Sequence, residues 1–250
     1  MCGIAGIMTA DGSAPDAVAL EAMKNALLHR GPDGDAVWTS GDTGLVHTRL
    51  AIIDLETGDQ PLFGPGGTAL VANGEIYNYI ELRDELSEVD FSTNSDCEPV
   101  LHYYRTYGPG FAEWLRGMYA LALYDPQERR LVLSRDPFGI KPLYYAQAEN
   151  GIAFASEAQA LLAAGFGRRE LRDRPIGEML QLQFTTGAHT PFDGIQRVLP
   201  GETIVIAGGR IIDRRHRAAL PEGGPQRLSE ATALEALEVA LTDSVDVHQR

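Results

Sequence analysis

Cysteine is scarce in this chain: Cys2 and Cys97 are the only two in 250 residues. Two thiols make no disulfide framework and are too few for a zinc cluster. Basic charge is also in short supply. With 21 Lys and Arg against 35 Asp and Glu the net charge is −14, which repels nucleic acid and anionic membrane surfaces. Only short basic pairs such as Arg168-Arg169 and Arg214-Arg215 interrupt the acidity. No apolar run approaches the roughly 18 residues that span a bilayer, and the N-terminus has neither the basic nor the apolar segment of a secretion signal. Repeats and low-complexity tracts are missing too. The expectation is a soluble, cytoplasmic protein with neither nucleic acid nor membrane as partner. What is present is globular: 44% hydrophobic and 22% charged residues, in a chain long enough to bury a substantial core.

Cys2 stands directly behind the initiator methionine and leads the apolar run Gly3-Ile4-Ala5-Gly6-Ile7. Methionine removal, favoured before a small residue, would leave a thiol and a free α-amine on one residue. An α-amine titrates near 7.7–8.0 and a thiol near 8.5, roughly, so a part-neutral amine can take the thiol proton. Nucleophile and base then come as one unit. The alternative is an ordinary buried cysteine on a first strand.

Along the chain, Pro15 opens a predicted helix with Leu20, Met23, Leu27 and Leu28 on its apolar stripe, ending at Gly31-Pro32. Strands are predicted at 44–47, 50–54 and 69–72, and hairpins pair 118–124 with 130–134, 143–146 with 152–155, and 203–207 with 210–213. Ser95-x-x-Glu98 resembles a capping box for a helix burying Val100, Leu101, Tyr104 and Tyr107. A short helix is predicted over 157–164. Residues 221–227 read as a Pro/Gly-rich linker, and Ala231, Leu234, Leu237, Leu241 and Val245 form one amphipathic face beyond it. That face either folds back on the domain or is covered by a further domain or a partner. Many hairpins with few helices between them favour an antiparallel α+β architecture over a doubly wound sheet.

Holding a free amino acid requires a cation, an anion and fixed backbone groups. Arg49 can pair bidentately with a carboxylate, or be a surface ion pair. Asp96 can accept an ammonium, or serve a helix dipole. Asn73-Gly74 supplies a side-chain amide and a glycine N–H close together, which is what a tetrahedral oxyanion needs, although a bare Asn-Gly is more often a type I′ turn. His29 and His47 carry no spacing cue toward Cys2, Asp11-Gly12-Ser13 lacks the oxygen ligands of a calcium loop, and Cys97 reads as a packed thiol.

Taken in order, Cys2-Gly3-Ile4-Ala5-Gly6, His29-Arg30-Gly31-Pro32-Asp33-Gly34, Arg49-Leu50-Ala51-Ile52-Ile53-Asp54, Gly58-Asp59-Gln60-Pro61, Asn73-Gly74-Glu75-Ile76-Tyr77-Asn78-Tyr79, Ser95-Asp96 and the run from Arg135 to Tyr145 resemble class II glutamine amidotransferases. Within that family they are most similar to the N-terminal glutaminase domain of glutamine-hydrolysing asparagine synthetases. The resemblance covers residues 2–215. It implies a four-layer α/β/β/α sandwich of two antiparallel sheets, the N-terminal nucleophile hydrolase fold. It implies Cys2 as nucleophile, Asn73 and Gly74 as the oxyanion hole, and Arg49, Leu50, Ile52, Glu75 and Asp96 as the binding site for L-glutamine. No metal or other cofactor is implied for this half-reaction. ATP and magnesium belong to a C-terminal synthetase domain that these residues do not contain, and residues 216–250 would be the linker and helix leading to it. A homodimer is compatible with the resemblance, and the acceptor of the ammonia, aspartate or another carboxylate, would be chosen outside these residues. An idle dimerisation or regulatory domain is the remaining alternative, and it gives no physical need for Cys2, Arg49, Asn73, Gly74 and Asp96 together.

Overall fold

Strands that are apolar on both faces must be covered on both, and this sequence has several of them. In the computed structural model, which describes residues 1–220, 223–225 and 227–249, β1 (Gly3–Thr9) is buried along almost its whole length. It lies in the middle of a six-stranded sheet with β2 (Gly34–Ser40), β3 (Thr43–Arg49), β8 (Tyr144–Ala148), β9 (Gly151–Ala155) and β12 (Ile195–Arg197), in the order β12-β8-β9-β1-β3-β2. A second six-stranded sheet is built from β4 (Leu62–Phe63), β5 (Ala69–Ile76), β6 (Gly117–Asp125), β7 (Arg130–Arg135), β13 (Glu202–Ala207) and β14 (Arg210–His216), in the order β14-β13-β7-β6-β5-β4. Every pairing within these two sheets is antiparallel.

The period of two along each strand sorts the side chains into layers. Ile4, Met8 and Leu45 of the first sheet meet Val71, Ala120, Leu133 and Ile204 of the second in the central core. The alternate residues Ala5, Ile7 and Val46 face outward onto α1 (Ala17–Leu27) and α4 (Ala158–Ala163). On the other outer face, Leu70, Leu121 and Val132 pack against α2 (Tyr79–Glu85) and α3 (Glu98–Tyr107) through Leu82, Val100, Leu101 and Tyr104. Two antiparallel sheets between two helical layers result, as expected. Helix α1 is anchored by fully buried Leu20, Met23 and Leu27, each worth roughly 1.5–3 kcal/mol of apolar burial. A small two-stranded pair, β10 (Arg168–Leu171) with β11 (Phe192–Asp193), flanks α5 (Asp173–Leu182), and α6 (Glu230–His248) closes the chain.

Several local expectations are revised. Segment 50–54 is a loop: Ala51 N–H donates to the Asp33 carboxylate, and the Asp54 carboxylate accepts from the Thr57 and Asn94 backbones, so side chains take over the bonds a ladder would need. Helix α1 starts at Ala17 behind an Asp16 cap, two residues after Pro15, and Leu28 is partly exposed. Ser95 and Glu98 do not form a reciprocal box. Glu98 reaches back to the Ser92 and Thr93 N–H groups, while the Ser95 hydroxyl accepts from Cys97 N–H. Tyr107 is exposed and stacks on Trp114 at 4.7 Å. In α6, Leu234, Leu237, Leu241 and Val245 are exposed, and the helix touches the sandwich near its C-terminal end through buried Val247, an Arg116–Asp243 ion pair, and His248 against Tyr77. Of the linker read at 221–227, Pro221, Glu222 and Gln226 lie outside the described residues, as does Arg250. None of the described helices is long and apolar enough to cross a membrane.

Candidate active site

At one end of the central layer the apolar alternation gives way to polar residues. Two positions beyond Leu45 on β3 stands His47, then Arg49; two beyond Val71 on β5 stands Asn73, then Glu75. Each keeps the inward parity of the core residue that precedes it. Cys2 precedes Ile4 by the same step, opposite Arg49 in the β1–β3 register that pairs Gly3 with Thr48. The result is one cleft lined by Cys2, Arg49, Leu50, Ile52, Asn73, Gly74, Glu75 and Asp96, which brings together every residue the sequence nominated. His47, Gln60 and Lys141 line it as well. Met1 is part of its wall, and the free space is about 70 Å³. A larger cavity of about 420 Å³ between α5 and the β8 and β12 edge contains none of these residues.

The open donors follow from the end of β4. That strand pairs with β5 only at Leu70 and Ala69, so beyond them the edge of β5 is uncovered. Backbone N–H groups of residues 72, 74 and 76 point to that edge, because alternate residues bond to β6. Ala72 N–H is taken by Gln60 Oε1 at 2.6 Å and Ile76 N–H by Asp96 Oδ2 at 2.6 Å. Gly74 N–H, between them, has no such partner among the described residues. Position 74 admits no side chain, since a Cβ there would lie 2.3 Å from the Met118 carbonyl oxygen. Beside it Asn73 is 1% exposed, and its Nδ2 is buried without any hydrogen-bond partner. Asn73-Gly74 therefore sits within a strand, and the turn alternative is removed. Two unspent donors face the cleft that holds Cys2 Sγ, which itself lies 3.4 Å from Leu50 N and 3.7 Å from Leu50 O. Leu50 thus serves the thiol, with both of its backbone groups beside it. Arg30 holds the Cys2 carbonyl at 3.0 Å while pairing with Glu157 at 2.7 Å.

Arg49 is held in place from behind. Nη1 pairs with Asp59 at 2.6 Å and Nη2 with the Asp54 carbonyl, which leaves three of its five N–H donors. Gly58 permits this approach: a Cβ there would fall 2.9 Å from Nη2. Asp96 is buried, and burial pushes its carboxyl up to about 6 against the opposing Ile76 N–H bond. Burial likewise lifts the Cys97 thiol well above its ordinary range, with the neighbouring Asp96 adding to the effect. Among the described residues no group of three His, Cys, Asp or Glu side chains could hold a metal ion.

The family model of the glutamine amidotransferase domain matches residues 1–217. The chain belongs to the glutamine amidotransferase family. This amidotransferase chain is 35% identical over 257 residues to "Asparagine synthetase [glutamine-hydrolyzing] 1" of Bacillus subtilis, a match covering 100% of the chain and 40% of that protein. It is 40% identical over 164 residues to "Asparagine synthetase [glutamine-hydrolyzing] 3" of Arabidopsis thaliana, covering 64% of the chain and 28% of that protein. With "Amidase chry2" of Gibberella zeae it shares 36% over 224 residues, covering 82% and 32%. The chain thus spans less than half the length of these relatives. Among solved structures, the glutamine phosphoribosylpyrophosphate amidotransferase from B. subtilis matches with a TM-score of 0.59 at 20% identity, covering 86% of the chain and 49% of that structure. An "allosteric regulatory enzyme of purine biosynthesis" matches with a TM-score of 0.62 at 18% identity, with the same coverage. The shared fold is the N-terminal nucleophile hydrolase sandwich.

Sequence reasoning set His47 aside as a partner of Cys2 and gave no site role to Gln60, Lys141 and Asp59. His47 and Asn73 carry the same signal, a polar residue two steps beyond an apolar one on an otherwise buried strand. For Gln60 and Asp59 no local pattern exists, because their roles depend on where the loop after Asp54 returns to β5.

Proposed function

We propose that this amidotransferase domain hydrolyses L-glutamine to glutamate and ammonia. The observation that carries the reading is the Asn73 amide nitrogen, buried and unpartnered in the cleft that holds the Cys2 thiol. An unsatisfied buried donor costs about 1–3 kcal/mol, and a substrate oxyanion is the group that would satisfy it. Removal of Met1 frees the Cys2 amine and takes away part of the cleft wall. Cys2 Sγ attacks the side-chain amide carbon of glutamine while its proton passes to the α-amine. The carbonyl oxygen becomes an oxyanion between Asn73 Nδ2 and Gly74 N–H. Collapse breaks the C–N bond, the nitrogen takes the proton from the Cys2 ammonium, and ammonia leaves. Water then attacks the γ-glutamyl thioester, gives its proton to the amine, and releases glutamate and the thiol.

Arg49 would hold the α-carboxylate, and Asp96 with Glu75 the α-ammonium. In the relatives named as asparagine synthetases the remaining length would use the ammonia. We propose the same for the protein to which this domain belongs, with aspartate as acceptor and with ATP and magnesium handled outside these residues. Another carboxylate acceptor is the second reading, since the acceptor would be chosen outside these residues.

An electrophilic glutamine analogue that forms a stable thioether tests the reading by intact mass. Loss of Met1 and a single adduct on Cys2 are expected. A retained Met1 with no adduct would refute the mechanism. Arg49→Lys is expected to raise KM for glutamine by about tenfold or more with little change in kcat, since Lys cannot reproduce a bidentate fork. An unchanged KM would remove the clamp.

The pH dependence follows from Asp96. Its folded value of about 6 lies above the roughly 3.9 of an unfolded Asp, so the empty folded domain binds the extra proton between these values. Its stability therefore falls as pH rises through that window. Binding an ammonium needs the carboxylate. As pH falls below about 6, KM for glutamine is expected to climb by close to tenfold per unit, and Asp96→Asn should flatten the profile at a high KM. A wild-type KM that is flat from pH 5 to 7, roughly one unit either side, would exclude Asp96 as the ammonium partner.

A further inference from the structure

His47 is 2% exposed, lines the cleft, and takes no part in the mechanism above. Its β3 position pairs with Ile4 of β1, one inward step from Cys2, and faces the same end of the central layer as Asn73. The backbone of Ala72, the residue preceding Asn73, lies close enough to the ring to favour its protonated form. Nε2 is buried and has no partner. In the neutral imidazole with its N–H on Nδ1, the unpartnered Nε2 carries the lone pair. Burial drives the imidazole down to about 4, with nearby Arg49 lowering it further and the Ala72 backbone and Asp59 opposing. An acceptor without a donor and a donor without an acceptor, His47 Nε2 and Asn73 Nδ2, are thus buried in the same cleft. Buried polar groups are seldom left in that state.

Resting on the glutaminase reading, we propose that His47 is a positioning residue for the oxyanion hole: its Nε2 accepts one Asn73 amide hydrogen when substrate fills the cleft, aiming the other at the oxyanion. The two groups are not bonded to each other in the empty cleft, and catalytic hydrogen bonds commonly tighten only in the complex. A side-chain amide presents either its oxygen or its nitrogen to a site according to its other partners, and a neutral imidazole lone pair admits only the nitrogen.

The test is a double-mutant cycle on glutaminase kcat in the full-length protein, with Cys2→Ala alongside. His47→Leu is expected to lower kcat by about tenfold or more with KM nearly unchanged, and His47→Gln, whose carbonyl can accept, to restore most of it. In an Asn73→Ala background, His47→Leu should cost nothing further, because its effect acts through Asn73. Additive losses, or equal activity of the Leu and Gln variants, would overturn the proposal. If His47→Leu does not fold, wild-type protein labelled with ¹⁵N and alkylated by the glutamine analogue decides the matter. Coupling across a hydrogen bond between Asn73 Nδ2 and His47 Nε2 supports the pair, and its absence rejects it. Should Cys2→Ala stay as active as wild type, the glutaminase reading itself fails. Should Cys2→Ala be inactive while His47→Leu is unimpaired, only the positioning role fails.

Discussion

Replacing Cys2 by Ala is expected to abolish glutamine hydrolysis, a fall of roughly 10⁴-fold or more in kcat, because nucleophile and base act as one unit. The fold should survive. Among the described residues the thiol's hydrogen bonds are to the Leu50 backbone alone, at 3.4 and 3.7 Å, and β1 begins one residue later. Thermal unfolding should therefore shift by no more than about 1 kcal/mol. Glutamine binding should persist, since the groups assigned to the carboxylate and the ammonium are elsewhere in the cleft. A variant that still releases ammonia from glutamine would end the nucleophile assignment.

Asn73→Leu is expected to move activity and stability in opposite directions. The loss of one oxyanion donor should lower kcat by about 10²–10³, or roughly 2.7–4 kcal/mol of transition-state stabilisation, with KM little changed. The same change removes a buried donor that has no partner and substitutes an apolar side chain of similar shape. Relief of the desolvation penalty should stabilise the domain by about 1–3 kcal/mol. Assays of ammonia release together with denaturant melts check both halves. A variant that loses stability without losing activity would mark Asn73 as a structural residue. A functional site that holds an unsatisfied group at the expense of stability is a known trade-off.

Much of the fold was legible because burial on both faces leaves a continuous apolar signature, as in β1, β3, β6 and β9. The hairpins declared themselves through Asp125-Pro126 and Gly208-Gly209. The segment 50–54 misled for a physical reason. It is apolar and β-branched like a strand, but Asp33, Thr57 and Asn94 bond to its ends in place of a neighbouring strand, and it becomes a wall of the cleft. Tyr107 misled in another way: an aromatic at helical spacing stacked on Trp114 at the surface and did not enter the core.

By itself the sequence determined which chemistries are possible, since thiol, guanidinium, carboxylate and amide are properties of residue type. It also placed them in an order that resembles one family, and all of the nominated site residues meet in one cleft. Tertiary structure alone decided which of their groups are free. Gly74 N–H is open because β4 stops at Phe63 and Gln60 and Asp96 occupy the donors on either side. Arg49 is aimed by Asp59, the Asp96 carboxyl is raised by burial, and His47 is turned so that its Nε2 has no partner. Hydrogen-bond partners and solvent exclusion come from segments tens of residues apart. No local pattern encodes them, because they exist only once the two sheets have closed on each other.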